Sequence, residues 1–288
     1  MSLPPDSVTG RPADRVATVV VWGSAILVTA GFLFLVADVV WQGAGQLSWR
    51  YLLDAPLNAG RNGGIGPILV STLLILLVCL AVAVPVGLGT AILLAEYTRH
   101  NTVFSGWVQR SLDVLAGVPS IVFGLFGNAF FSVALGMGFS ILSGGLTLAC
   151  MVLPIFIRTV EQSIIAVPND YRRNAAALGL SHVTLLWHVL LPAAMPGIVA
   201  GLVLGIGRAL AETAALIFTS GYVDRMPGSL LDSGRALSIH IFDLAMNVPG
   251  GNERAYAAAM VLLLLLAGIY SVVHLVSRRI VAERSAVL

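Results

Sequence analysis

The sequence predicts an all-α integral membrane fold, a six-helix bundle, and three observations carry that prediction. Hydrophobic residues make up 58% of the 288 positions and charged residues 10%, with a mean hydropathy of +0.93, more apolar surface than one soluble core can hide. Six apolar runs approach the roughly twenty residues that carry a helix across the hydrocarbon of a bilayer. The runs are continuous rather than alternating in polarity, which excludes a membrane barrel.

Taken in order, the first run is residues 17–40, behind a short tail at residues 1–16 that holds Arg11 and Arg15. It is longer than the apolar core of a secretory signal, and no small-x-small cleavage site followed by a soluble domain accompanies it, so it reads as an uncleaved anchor. Residues 66–277 form one membrane domain with spans expected at 68–94, 114–135, 141–157, 198–219 and 257–276. In the third span Gly117 and Pro119 mark a kinked or broken helix that can open a polar path, and Gly124 and Gly127 permit close helix contact. The connections at 41–66 and 222–256 are rich in Gly, Asn, Asp and Pro, which suits turns and surface loops without a stable domain of their own. Residues 278–288 form a second short tail.

Every basic residue other than histidine is an arginine. Arg11, Arg15, Arg99, Arg110, Arg158, Arg172, Arg173, Arg278, Arg279 and Arg284 fall on one side of the expected spans, against Arg50, Arg61, Arg225, Arg235 and Arg254 on the other, which predicts that both termini are cytoplasmic. The absence of lysine excludes a Walker phosphate loop, Schiff-base catalysis and a pyridoxal site, so any energy source lies in a partner. Cys79 and Cys150 fall within spans and read as small apolar residues, not as a disulfide or a metal site. No catalytic residues and no metal ligands are assigned.

Between the fourth and fifth spans lies a polar interruption, residues 172–197, RRNAAALGLSHVTLLWHVLLPAAMPG. Asn169 or Asp170 can cap a short helix with a small face at Ala175, Ala176 and Ala177; Gly179 ends it and Ser181 starts the next. Pro192 and Pro196 then break the chain before the fifth span. An ordinary connecting loop has the same composition, so physics alone leaves a choice between a connector and a docking element at residues 168–197.

Within the fifth span Arg208 is expensive, about 2.5–3.5 kcal/mol on insertion scales near the bilayer centre, and such residues face a pore or a partner. Glu212 follows four residues later, expected on the same helix face, and Thr213 adds a hydroxyl. One reading is a packing pair in which Arg208 and Glu212 satisfy each other; the other is an anion path, because guanidinium offers paired donors to two oxygens of a phosphate. Asp38, Asp113 and Asn128 read as interfacial or helix-holding, and His182 and His188 as solvated residues of the interruption. An intramembrane hydrolase lacks a supporting nucleophile and base, whereas a proton-coupled secondary carrier remains the alternative, with Arg208 and Glu212 as a substrate and proton pair.

The interruption resembles the docking motif of ABC importer permeases: Glu-Ala-Ala, three residues, Gly, nine residues, then an aliphatic residue, any residue, Leu and Pro. Gly179, Val189, Leu191 and Pro192 keep that spacing, while Arg173 and Asn174 replace the glutamate and first alanine and Ala175 keeps the second. GGIGPILVSTLL at 63–74, AEYTRH at 95–100, LAGVPSIVFGLFG at 115–127, LPIFIRTVEQSI at 153–164 and GIGRALAETAAL at 205–216 further resemble membrane subunits of the phosphate-specific transport (Pst) system, a type-1 ABC importer, and its A-type subunit above all. The resemblance implies a permease of the inner membrane, not an enzyme. It implies ATPase docking through Ala175, Gly179 and Pro192, and phosphate as the anion for the path read above at Arg208, Glu212 and Thr213. The implied partners are a PstC-type second permease, two copies of a PstB-type ATPase that holds the ATP and Mg, and a PstS-type phosphate-binding protein; this chain itself is expected to hold no cofactor. A permease for another oxyanion or a phosphonate is the alternative within the family.

Overall fold

The structure is a computed structural model that describes residues 12–98 and 102–285; Arg11, Arg99 and the outermost parts of both expected tails lie outside the described residues. Helix α1 runs over Pro12–Ala44, α2 over Trp49–Leu53, and a two-residue hairpin pairs Pro56–Leu57 (β1) with Asn62–Gly63 (β2). Helix α3 covers Gly66–Ile92 and continues as a π-type turn at Leu93–Tyr97. Then come α4 (Thr102–Gly117), α5 (Ser120–Gly127, extended by a π-type turn at Asn128–Ala134) and α6 (Ile141–Ile165). The short helices α7 (Asn169–Ala177), α8 (His182–Leu185, followed by a π-type turn at Leu186–Leu190) and α9 (Leu191–Ala193) lead into α10 (Met195–Ala211). One turn, α11 (Ala214–Ile217), precedes α12 (Leu237–Met246) and the long α13 (Asn252–Ser285).

Among the described residues, four helices are long and apolar enough to cross a membrane: α1 from Val16, α3 with its turn, α6, and α13 to Arg278. Two bent pairs bring the total to six if each is one span, so the six-helix expectation holds only with both bends included. The third expected span is not straight. α4 meets α5 at 101°, because Pro119 has no N–H to give and disfavours a helical Val118. That break falls where Gly117 and Pro119 predicted it, but α4 starts at Thr102, well ahead of residue 114. The fourth span runs eight residues past its expected end, to Ile165, since Arg158 and Glu161 find partners on α4 instead of ending the helix. The sixth likewise begins at Asn252 and continues beyond residue 276.

The packed centre is α3 against α6, filled by Ile75, Cys79, Leu148, Val152 and Phe156. Both cysteines are free. Gly124 serves the close approach expected of it, since a Cβ there would meet the Ala215 backbone of α11 at 2.8 Å. By contrast α1 leaves its apolar face uncovered, with Trp22, Phe32 and Phe34 exposed.

At the end of the bundle away from α7 and α8, the two long connections do more than turn. Tyr51, Ile65 and Leu237 pack with Ala257, Ala258 and Val261 into a second core, and the Thr72 hydroxyl accepts the Leu237 N–H (2.9 Å) while donating to Ile68 O (2.7 Å). The second connection thus carries a short helix, α12, that sits against α13 and the start of α3.

Candidate functional site

Two groups of residues follow from this architecture, one at the α10–α11 break and one at the α7–α8 hairpin. α10 stops at Ala211 because Glu212 is extended (φ −77°, ψ 127°), so the expected 198–219 helix is two helices. Glu212 caps the end of α10 four residues after Arg208, and its φ of −77° keeps its Cβ near the helical position, but the two side chains form no ion pair. The break is furnished with partners: Ser238 Oγ donates to Glu212 O (2.6 Å), and Glu212 Oε1 accepts the Ala215 N–H (3.3 Å), capping α11. Thr213 is half-buried, and its hydroxyl has no hydrogen-bond partner among the described residues.

Arg208 lies one turn before the break, half-buried, with its Nε out of solvent and unpaired. Among the described residues its side chain makes neither an ion pair nor a hydrogen bond. Glu212 makes no ion pair either, its carboxylate being turned to Ala215. The self-satisfied Arg208–Glu212 pair is thus not what the fold builds. A guanidinium Nε held out of solvent without a partner costs free energy.

At the hairpin, the chemistry of the turn is written in the sequence. Leu180 N–H bonds Ala175 O (3.0 Å) and Gly179 N–H bonds Ala176 O (3.1 Å), a Schellman closure with Gly179 at φ +69°. Ser181 then caps α8 by accepting the Thr184 N–H (3.2 Å). Neither Asn169 nor Asp170 occupies the cap of α7, which falls on Pro168. Pro192 opens α9, and the chain bends by 66° into α10, held there by Ser163 Oγ donating to Ala194 O (2.8 Å).

Ala175 is 4% exposed and belongs to the chain's own buried core, so its side chain is not part of the outward surface of the hairpin. The outward surface comprises Leu178, Val183 and Trp187, which are 76%, 61% and 56% exposed, with Ala176 and Ala177 beside them. Sequence reasoning missed these three; apolar residues inside a polar interruption were the available signal. Arg173, standing where the related motif has glutamate, is 79% exposed and only 3.9 Å from Asp170, a surface pair that contributes little.

Two further polar links were also missed. Arg158 of α6 binds Asp113 (2.6 Å) and Gln109 O (3.1 Å) of α4, and the fully buried Glu161 accepts from Gln109 Nε2 (2.8 Å), which bears out Asp113 as a helix-holding residue. Arg172 of α7 forms an ion pair with Glu96.

Apolar helices long enough to cross a membrane, one of them broken beside an arginine with an unpaired Nε, and an apolar hairpin at one end suit a membrane transport subunit. The comparisons agree. Residues 83–282 match the family described as binding-protein-dependent transport system inner membrane component. The chain is 31% identical over 273 residues to the phosphate transport system permease protein PstA of Mycobacterium leprae, covering 93% of this chain and 89% of that one. It is 30% identical over 244 residues to a probable ABC transporter permease protein, YqgI, of Bacillus subtilis, covering 80% and 83%. Among solved structures it resembles the MetNI methionine ABC transporter in an inward-facing form, with a TM-score of 0.54, 18% identity and coverage of 77% and 94%, which supports the fold alone. The chain belongs to the binding-protein-dependent transport system inner membrane component family, as a multi-pass permease subunit of an ABC importer and not an enzyme.

Proposed function

We propose that this chain is the A-type permease subunit of an ATP-driven importer of inorganic phosphate, forming half of the translocation path. The observation that carries the reading is Arg208, whose Nε is buried and unpaired one turn from a built helix break. A guanidinium offers two parallel donors to a phosphate, and a helix interruption at the centre of a bundle is where a path between helices opens. The PstA name of the Mycobacterium leprae relative supports phosphate as the substrate. The Thr213 hydroxyl and the Glu212 carboxylate stand at the same break, and Glu212 accepts a hydrogen bond from a protonated phosphate oxygen that sulfate lacks.

The partners follow from the same reading: a PstC-type permease completes the path, two PstB-type ATPase copies bind ATP and Mg, and a PstS-type protein delivers phosphate. The hairpin meets the ATPase through Leu178, Val183 and Trp187, with Gly179 and Pro192 setting its shape. Arginine bias places both termini and the hairpin in the cytoplasm of the bacterial cell, with α2, the β1–β2 hairpin and α12 outside. Reconstitution of the four-component complex in vesicles tests the function. ATP-dependent uptake of phosphate is expected; phosphate movement by this chain alone, driven by a proton gradient, would establish a secondary carrier and reject the proposal.

A further inference from the structure

Glu96 and Arg172 sit far apart in sequence and meet where α3 ends and α7 begins. Both are nearly out of solvent, with side chains 6% and 16% exposed. Arg172 Nε donates to Glu96 Oε1 (3.1 Å) and Nη2 donates to the same oxygen (2.5 Å). The remaining edge of the guanidinium serves α6: Nη1 donates to Val167 O (2.9 Å) and Nη2 to Ile164 O (3.1 Å). Ile164 lies in the last turn of α6 and Val167 just past its cap, where the helix end favours a cation. One side chain therefore joins three helices, and beside it the Tyr97 ring packs on His182 of α8, centroids 5.4 Å apart.

Desolvating two charges leaves little net stability in such a pair, so stability is a weak reason for its presence. Its geometry gives a better one. α3 and α6 are the two helices that form the packed centre, and α7 is part of the hairpin that carries the exposed apolar surface. We propose that Arg172, anchored by Glu96, is a positioning residue that makes the hairpin move as one body with α3 and α6. Displacement of the hairpin by an attached ATPase then reaches the translocation path instead of being absorbed by the connection at 166–168. Lysine does not substitute, because one ammonium cannot hold a carboxylate and two divergent carbonyls with a planar fork. The inference rests on the reading of the hairpin as the ATPase contact.

The test uses the complete transporter in proteoliposomes. Wild-type ATP-driven phosphate uptake is measured first; its absence is a failure of the proposed function and not of the link. Arg172→Gln and Glu96→Gln are expected to assemble and hydrolyse ATP, while phosphate moved per ATP falls about fivefold or more, with Arg172→Lys between them and wild type. Tyr97→Cys with His182→Cys, in a chain carrying Cys79→Ala and Cys150→Ala, is then joined by a short bifunctional thiol reagent. That covalent tie is expected to restore the ratio in Arg172→Gln. An unchanged ratio in the single variants, loss of assembly in both, or a tied variant that stays uncoupled would overturn the inference.

Discussion

Gly179 offers the cleanest perturbation because its role is confined to one torsion. At φ +69° it lies in the left-handed region, yet a Cβ placed on it meets nothing within 4 Å. Substitution therefore strains the backbone without any clash to confuse the result. The left-handed conformation costs an L-residue about 1–2 kcal/mol, and a β-branched side chain stands at the upper end. Gly179→Val at about 2 kcal/mol shifts the closed-turn equilibrium by up to about thirtyfold, Gly179→Ala at about 1 kcal/mol by about fivefold, while asparagine tolerates the region with little penalty. The Leu180–Ala175 and Gly179–Ala176 bonds open with the turn, and Leu178 is displaced from Val183 and Trp187. Copurification of the ATPase with the permease should then rank glycine, asparagine, alanine, valine, with membrane insertion equal in all four. If valine retains the ATPase as well as glycine does, or if asparagine is as damaging as valine, the turn does not shape the docking surface.

Arg208→Ala is expected to abolish phosphate uptake in assembled transporter, whereas Glu212→Gln keeps an acceptor for Ala215 and should lose part of the discrimination against sulfate, read as sulfate inhibition of uptake; a charge-swapped Arg208→Glu, Glu212→Arg double variant should stay inactive, since the two residues are not paired, and its recovery would revive the packing reading. For topology, a single cysteine at Ser229 should react with an impermeant reagent added to whole cells and one at Ser285 should not, in a background lacking Cys79 and Cys150; equal labelling would refute the orientation. His240 of α12 is buried with both ring nitrogens unpaired, and burial, aided by Arg235 and opposed by Asp243, pushes its pKa down from 6.5 to about 4. The unfolded chain then binds more protons between those values, so stability is full above pH 6.5 and falls by roughly 3 kcal/mol on acidification to about pH 4; thermal unfolding of His240→Leu in detergent should lack that acid-side loss.

Much of the fold was legible because apolar length is a local property of the chain. The Gly179–Ser181 turn, the proline bends and the free cysteines follow from rules that operate within a few residues. The break after Ala211 was not legible: nothing in GIGRALAETAAL announces that Glu212 turns extended and that its carbonyl meets Ser238, 26 residues away. Ala175 is a related case. Small residues mark close approach, but the sequence does not say whether the neighbour is a partner or the chain's own core, in which Ala175 is buried. Glu96 and Arg172 are separated by 76 residues and carry no joint signal in a single sequence.

The break at Glu212 and the solitary Arg208 are one device. In a low-dielectric bundle an interrupted helix persists only where its freed backbone groups find partners, and here Ser238 and the Glu212 carboxylate supply them. Spending that carboxylate on the Ala215 N–H is what leaves Arg208 without its sequence neighbour as a counter-ion. The i,i+4 relation itself survives, since Ala211 is helical and Glu212 has a φ of −77°; it is the turn of the carboxylate to α11 that keeps the charges apart. Weakening the break is a direct test of the logic: Ser238→Ala removes the hydroxyl that holds Glu212 O and leaves a half-buried carbonyl unsatisfied, a cost of about 1–3 kcal/mol against the broken form. If the break is what frees Arg208, this variant should weaken phosphate uptake with Arg208 itself intact, and Glu212→Ala, which removes the competing counter-ion, should not restore uptake unless α11 finds another cap. Wild-type uptake in Ser238→Ala at equal assembly would show that the anion path does not depend on the break.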